Sequence, residues 1–201
     1  IKTKRKDIIV LTDTVYATFV EKFHSILQDI PENTICVYSF SKYFGVTGWR
    51  LGTIMLKEHH LIDKIIKNLP EEDLKQLDKR YSTVTDNARE IPFIDRLELD
   101  SREPSLAHTG GLSGPQQVIM CLFAIFNLMD KKKIYKNSIH HILKKRIKLL
   151  YDQLGLELPE EYHHTYYYTL LDFSVVTKKI YGEEFASYFT KNISVLEFYL
   201  N

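Results

Sequence analysis

Ile8-Ile-Val-Leu11 is an unbroken apolar run closed by a polar turn, Thr12-Asp13-Thr14. Parallel strands covered on both faces look like this, because neither side chain parity meets water. Thr34-Ile-Cys-Val-Tyr38 repeats the pattern after an irregular or helical stretch that ends at Pro31-Glu-Asn33. The spacing predicts a strand, crossover, strand unit, parallel and right-handed. Leu51-Gly-Thr-Ile-Met-Leu56 predicts a third strand. Beyond it, residues 59–69 place Leu61, Ile62, Ile65, Ile66 and Leu69 on one helical face.

Residues 70–112 are charged, with scattered apolar anchors such as Phe93, Ile94, Leu97 and Leu99, and read as an inserted helical or irregular segment. Ser113-Gly-Pro-Gln116 has the form of a helix start: a Ser cap, an early Pro, and a Gln placed to reach back. The helix it opens, about 115 to 129, is apolar almost all round, which predicts burial. A long amphipathic helix follows, with Tyr135, Ile139, Ile142, Leu143, Ile147, Leu150 and Leu154 along one stripe and Gly155 as its stop. Tyr166 to Phe173 reads as a strand and Gly182 to Lys191 as a helix. The pattern as a whole is α/β. It divides into a first domain over 1–134, a linking helix over 135–155, and the start of a smaller α+β domain over 156–201.

Composition narrows the function classes. Lys and Arg number 27 and Asp and Glu 26, a formal charge of +1, so no one-sided field exists to hold nucleic acid or an anionic membrane. The longest apolar run, Val118 to Phe126, is far short of the roughly 20 residues of a membrane span. Cys36 and Cys121 both sit inside apolar runs and read as reduced core thiols of a cytoplasmic protein. The chain starts at Ile1 and stops in mid-pattern, as expected of a piece of a longer polypeptide.

In an open α/β sheet, ligands bind outside the carboxyl ends of the strands. The first such end carries Asp13 and Tyr16. The second carries Ser39, Ser41, Lys42 and Arg50 on a loop with Gly45 and Gly48. A parallel crossover sets the two ends side by side, so a carboxylate, a phenol, an amine, a guanidinium and two hydroxyls converge. Pyridoxal phosphate accounts for the whole set. Its aldehyde needs a lysine, its ring nitrogen a carboxylate, its ring oxygen a donor, and its phosphate an arginine with hydroxyls.

Ser39-Phe-Ser-Lys42 through Gly48-Trp-Arg-Leu-Gly52, preceded by Asp13-Thr-Val-Tyr16, resembles the cofactor signature of the fold-type I, class I aminotransferases. The resemblance implies pyridoxal 5'-phosphate as cofactor and a three-layer α/β/α large domain. By position, Lys42 resembles the Schiff-base lysine, Asp13 the partner of the ring nitrogen and Tyr16 the donor to the ring oxygen. Ser39 and Arg50 resemble phosphate ligands, with Ser41 as a further phosphate contact. The segment from Leu69 to Gln117, with Phe93-Ile-Asp-Arg-Leu97 and His108-Thr-Gly-Gly, is similar to the aspartate 4-decarboxylase branch of that family. That branch implies conversion of L-aspartate to L-alanine and carbon dioxide, with transamination to a 2-oxo acid alongside, in a homo-oligomer of at least two copies. An aminotransferase without decarboxylase activity and an inactive truncated relative are the alternatives. The family's remaining cofactor and substrate ligands, including the arginine for the substrate α-carboxylate, are expected outside residues 1–201, so the chain alone is expected to be inactive.

Other features read as structural. The pairs His59-His60, His140-His141 and His163-His164 lack an acid or cysteine at metal-ligand spacing. Trp49 and Tyr166-Tyr-Tyr168 are expected to pack, Lys131-Lys-Lys133 to form a solvated turn, and His108 to lie on a loop.

Overall fold

β1 (Val10–Asp13), β2 (Thr34–Ser39) and β3 (Gly52–Met55) form one sheet in the order β1-β2-β3. β1 lies parallel to β2, with Val10 opposite Thr34 and Asp13 opposite Val37, and β3 returns antiparallel, with Ser39 opposite Gly52. Asn33, at the entrance to β2, sets this register. Its side-chain amide donates to the carbonyls of Lys6 (3.0 Å) and Ile8 (2.8 Å), just ahead of β1. Gly52 suits the close approach at its place, since a Cβ there would lie 3.0 Å from the Tyr38 carbonyl oxygen. The computed structural model describes residues 4–101, 112–158 and 165–191. His108, the His163-His164 pair and the chain past Lys191 lie outside them.

Alternation gives the sheet two unlike faces. Thr34 and Cys36 turn to the buried one, at 0 % and 3 % exposure. The other carries Leu11, 70 % exposed, and Ile54, 46 % exposed. β1 is therefore not covered on both faces, contrary to its all-apolar pattern. That pattern records what a strand's side chains tolerate, not which partners lie within reach. The crossover consists of short turns and α1 (Ile26–Asp29), which Ser25 caps through its hydroxyl at 3.2 Å from the Leu27 N–H.

α2 (Leu61–Lys67) is capped by His60, whose Nδ1 accepts from the Ile62 N–H at 3.2 Å. His60 is fully buried. The described part of the predicted insertion is helical: α3 (Glu71–Tyr81), a 3-10 turn at Ala88–Glu90, and α4 (Phe93–Ser101). Charges knit it together. Arg89 forks between Glu71 (2.8 Å) and Asp78 (2.7 Å) and holds both carboxyls below their usual range. Arg96, 4 % exposed, lies between the apolar anchors of α4. It donates to the Ala88 (2.7 Å) and Ile91 (3.0 Å) carbonyls and stacks its guanidinium over the Tyr81 ring.

α5 (Gly114–Met129) starts with the predicted capping box: Ser113 N–H donates to Gln116 Oε1 at 3.0 Å. The helix forms, but it is not buried. Val118, Leu122, Ile125, Phe126, Leu128 and Met129 are each 47–76 % exposed, and Cys121 is exposed rather than a core thiol. Only a stripe of Gln116, Ile119, Met120 and Phe123 is half-buried. An apolar surface all round specifies a helix that several neighbours can cover. One neighbouring loop covers one stripe.

The contacts divide the chain into two units. The first holds the described residues of 1–18 and 22–129, the second those of 19–21 and 130–201. In the second, α6 (Ile134–Leu154) begins where the Asp130 carboxylate accepts from the Ile134 and Tyr135 N–H groups. It ends at Gly155, whose φ of 64° lets its N–H return to the last turn. α7 (Phe173–Tyr181) and α8 (Glu183–Lys191) follow. Among the described side chains of these helices, Ile147, Tyr151, Val176, Thr177 and Ala186 are buried. The predicted strand over 166–173 is absent. Tyr166 takes a left-handed φ of 55°, and Asp172, read as a strand residue, caps α7 by accepting from the Ser174 N–H at 2.9 Å. No strand lies within the described residues of this unit to pair with it. Tyr167 packs on Phe19, but Tyr168 is 55 % exposed.

Burial pushes the His60 imidazole below its ordinary pKa. The unfolded chain therefore binds the proton first, and this contribution to stability is present above about pH 6.5 and lost as pH falls below it. His60→Asn keeps a capping acceptor and removes the titration. Urea midpoints measured from pH 7.5 to 5 should fall less steeply for the variant. The difference is at most about 1.4 kcal/mol per pH unit.

Candidate active site

Asp13 ends β1 and Ser39 ends β2. Asp13 faces Val37 across the ladder, and Ser39 is two residues further on, so the period of two places both on the same face of the sheet. Thr14 locks this end. Its N–H and its hydroxyl both donate to the Val37 carbonyl, at 2.8 and 2.9 Å, and the hydroxyl also touches Cys36 Sγ at 3.3 Å. The Val15 N–H donates to Asp13 Oδ1 at 2.9 Å, which holds the carboxylate in an Asx turn. Tyr16, on the turn that follows, is half-buried.

The loop from Phe40 to Leu51 is folded on itself. Phe40 N–H bonds the Leu51 carbonyl at 3.1 Å, closing its neck. Ser41 N–H donates to Ser39 Oγ (3.2 Å), and the two hydroxyls lie 2.9 Å apart. Phe44 N–H returns to the Phe40 carbonyl, making one helical turn that carries Lys42, half-buried between buried Ser41 and Tyr43. The Phe40 and Phe44 rings stack on Phe123 of α5 at 6.2 and 4.6 Å. At the far end, Arg50 has a left-handed φ of 54° and donates to the Thr47 carbonyl at 3.2 Å. Thr47 in turn reaches the Ser41 carbonyl at 3.4 Å.

The fold thus groups Ser39, Ser41, Lys42 and Arg50 on one closed loop, with Asp13 one strand away on the face that Ser39 shares. Among the described residues, no carboxylate pairs with Arg50 and no cation pairs with Asp13. Both charges are exposed. A carboxylate and a guanidinium left open, with two hydroxyls bonded to each other, match a ligand that is cationic at one end and a phosphate at the other. The residues present fit pyridoxal phosphate. Trp49, expected to pack, is 51 % exposed. A separate cleft of about 380 Å³ is lined by residues including Lys57, Lys67 and Arg89, all three already paired with Glu32, Glu90, and Glu71 with Asp78.

Residues 1–90 match the family model for aminotransferase class I and II. The chain is 45 % identical over 185 residues to a bifunctional aspartate aminotransferase and L-aspartate beta-decarboxylase of Pseudomonas sp. Over residues 1–90 the chain resembles the class I and II aminotransferases. The Pseudomonas match takes in 92 % of this chain and 35 % of the relative, so the chain spans about a third of that protein's length. Aspartate aminotransferases of Sulfurisphaera tokodaii (38 % over 73 residues; 34 % of this chain, 17 % of the relative) and Pyrococcus horikoshii (30 % over 102 residues; 49 % and 23 %) are also similar. Enzymes of this family use pyridoxal phosphate.

Thr14, Gln116 and Phe123 escaped the sequence reading as parts of this region. Thr14 looks like any turn threonine. The signal for the other two was present: they stand seven residues apart, on one helical face.

Thr14→Val keeps the β-branched shape and removes the buried hydroxyl. We expect a loss of about 1 kcal/mol in stability by urea unfolding, with the m-value unchanged. Equal midpoints for the variant and the parent would show that this end of β1 is not held as described.

Proposed function

We propose that the intact protein converts L-aspartate to L-alanine and carbon dioxide and also transaminates aspartate, with Lys42 as its catalytic residue. One observation carries the choice within the family. The family model ends at residue 90, whereas 185 aligned residues of 201 carry the likeness to the bifunctional Pseudomonas protein well past it, through the helical insertion and α6. An aspartate aminotransferase without decarboxylation is the second reading, favoured by the shorter matches to enzymes of that name.

Each residue has a physical task in this reading. Bound pyridoxal phosphate supplies an electrophilic aldehyde and an electron-accepting ring. Arg50, with the Ser39 and Ser41 hydroxyls, holds the phosphate through charge-assisted hydrogen bonds. Asp13 keeps a proton on the ring nitrogen, because a carboxylate beside a cation favours its charged form. Tyr16 donates to the ring oxygen. Lys42 would supply the amine that holds the cofactor's aldehyde, and its Nζ would move the proton at the substrate Cα. The reading carries with it a homo-oligomer and a cytoplasmic location, which two free thiols suit. Among the described residues, no helix is long and apolar enough to cross a membrane.

Borohydride reduction of the intact protein should fix a pyridoxyl group on Lys42. Lys42→Ala should lose the adduct and about a thousandfold or more in turnover. Retained turnover in that variant would falsify the assignment. Asp13→Asn keeps the acceptor for Val15 N–H and removes the charge, so the fold should stand while turnover drops about a hundredfold. Carbon dioxide released from aspartate in step with alanine supports the first reading. Transamination with no carbon dioxide selects the second.

A further inference from the structure

α5 touches the loop of Lys42 and Arg50 at both ends. Phe123 stacks on Phe44 at 4.6 Å, next to Lys42. Gln116, seven residues earlier on the same face, donates from Nε2 to the Trp49 carbonyl at 3.1 Å. That carbonyl belongs to the peptide joining Trp49 to Arg50, so its orientation sets the φ of Arg50. A non-glycine residue at φ 54° stays there only when its surroundings hold it. The other end of the peptide-bearing residue is fixed as well, with Trp49 N–H on the Val46 carbonyl at 3.0 Å.

The Gln116 amide cannot turn. Its Oε1 accepts from both the N–H and the hydroxyl of Ser113, each at 3.0 Å, as the capping box of α5. With the oxygen taken, the NH2 must point at Trp49, and a flipped amide would set oxygen against oxygen. One side chain therefore caps a helix and grips the peptide ahead of the guanidinium.

We propose that Gln116 is a positioning residue: through the Trp49 carbonyl it holds Arg50 in the left-handed conformation from which its guanidinium receives the cofactor phosphate. This rests on the reading of Arg50 as a phosphate ligand. Phe123 anchors the same helix at the Lys42 end, so α5 fixes both ends of the loop against one rigid element.

The test compares pyridoxal phosphate with pyridoxal, which has the aldehyde and ring but no phosphate, by absorbance titration of the intact protein freed of cofactor. Gln116→Glu keeps the oxygen that caps Ser113 and removes the donor to Trp49. Affinity for pyridoxal phosphate should fall about tenfold, affinity for pyridoxal should hold, and Lys42 should still take the adduct. Gln116→Met, neutral and of similar length, should shift the same ratio and stands in if the charged variant misfolds. Ser113→Ala, which weakens the cap and spares the grip, should leave the ratio at the parent value. An unchanged ratio in both Gln116 variants overturns the proposal. So does an equal loss for both ligands, or a ratio moved as far by Ser113→Ala. If the parent protein takes up pyridoxal phosphate on Lys42 but Arg50→Ala leaves the ratio unaltered, the reading of Arg50 has failed instead, and the role of Gln116 falls with it.

Discussion

The register of β1 against β2 decides what this region can do. Side chains alternate along a strand, so a slip of one residue would move Asp13 to the face opposite Ser39. Two polar clamps prevent the slip. Asn33 catches the carbonyls of Lys6 and Ile8 ahead of β1, and Thr14 closes on the Val37 carbonyl behind it. Neither clamp depends on the apolar side chains of β1, and Leu11 and Ile9 are both exposed. Register here comes from hydrogen bonds at the strand ends.

The loop after β2 is held by a different kind of force. Its neck is a backbone bond from Phe40 to Leu51, and its flank is a stack of Phe40, Phe44 and Phe123. Aromatic packing of this kind adds to the hydrogen bonds that Ser41 and Arg50 make within the loop and fixes the turn against one face of α5. The consequence is a rigid frame with reactive groups at its rim. Arg50 stores the strain of that frame in a left-handed backbone, a pattern associated with ligand clamps.

Much of this was legible in the residues, and the limits are instructive. The three strands, the capping box at Ser113 and the long helix with Gly155 at its end follow from local rules that act within a few residues, whereas the antiparallel return of β3 does not. Nor does burial. α5 is apolar on every side, which specifies a helix but not how many neighbours reach it, and the described residues cover one stripe. Tyr166 to Phe173 has strand composition, yet Asp172 next to Ser174 is also a helix cap, and with no partner strand at hand the cap decides. The candidate site residues could be named only as residue types in order along the chain. What could not be read was the support beneath them: Thr14 on a carbonyl across the ladder, or Gln116 on a peptide far away in sequence.

The two open charges explain why the support is so extensive. Left to themselves, a flexible Asp and Arg near one strand edge would gain by pairing, and an ion pair would consume both. Here each is restrained within its own segment: the Asp13 carboxylate by the Val15 N–H, the Arg50 guanidinium by the Thr47 carbonyl. Neither restraint neutralises its charge. In the proposed reading, a ligand with a protonated ring nitrogen and a phosphate satisfies both at once, and the cost of holding them apart is met by the fold before the ligand arrives. Affinity for such a ligand is thereby tied to the stability of β1, of the loop and of α5 together. On that reading, residues that touch no ligand, Thr14 and Gln116 among them, contribute to the site through the frame they hold.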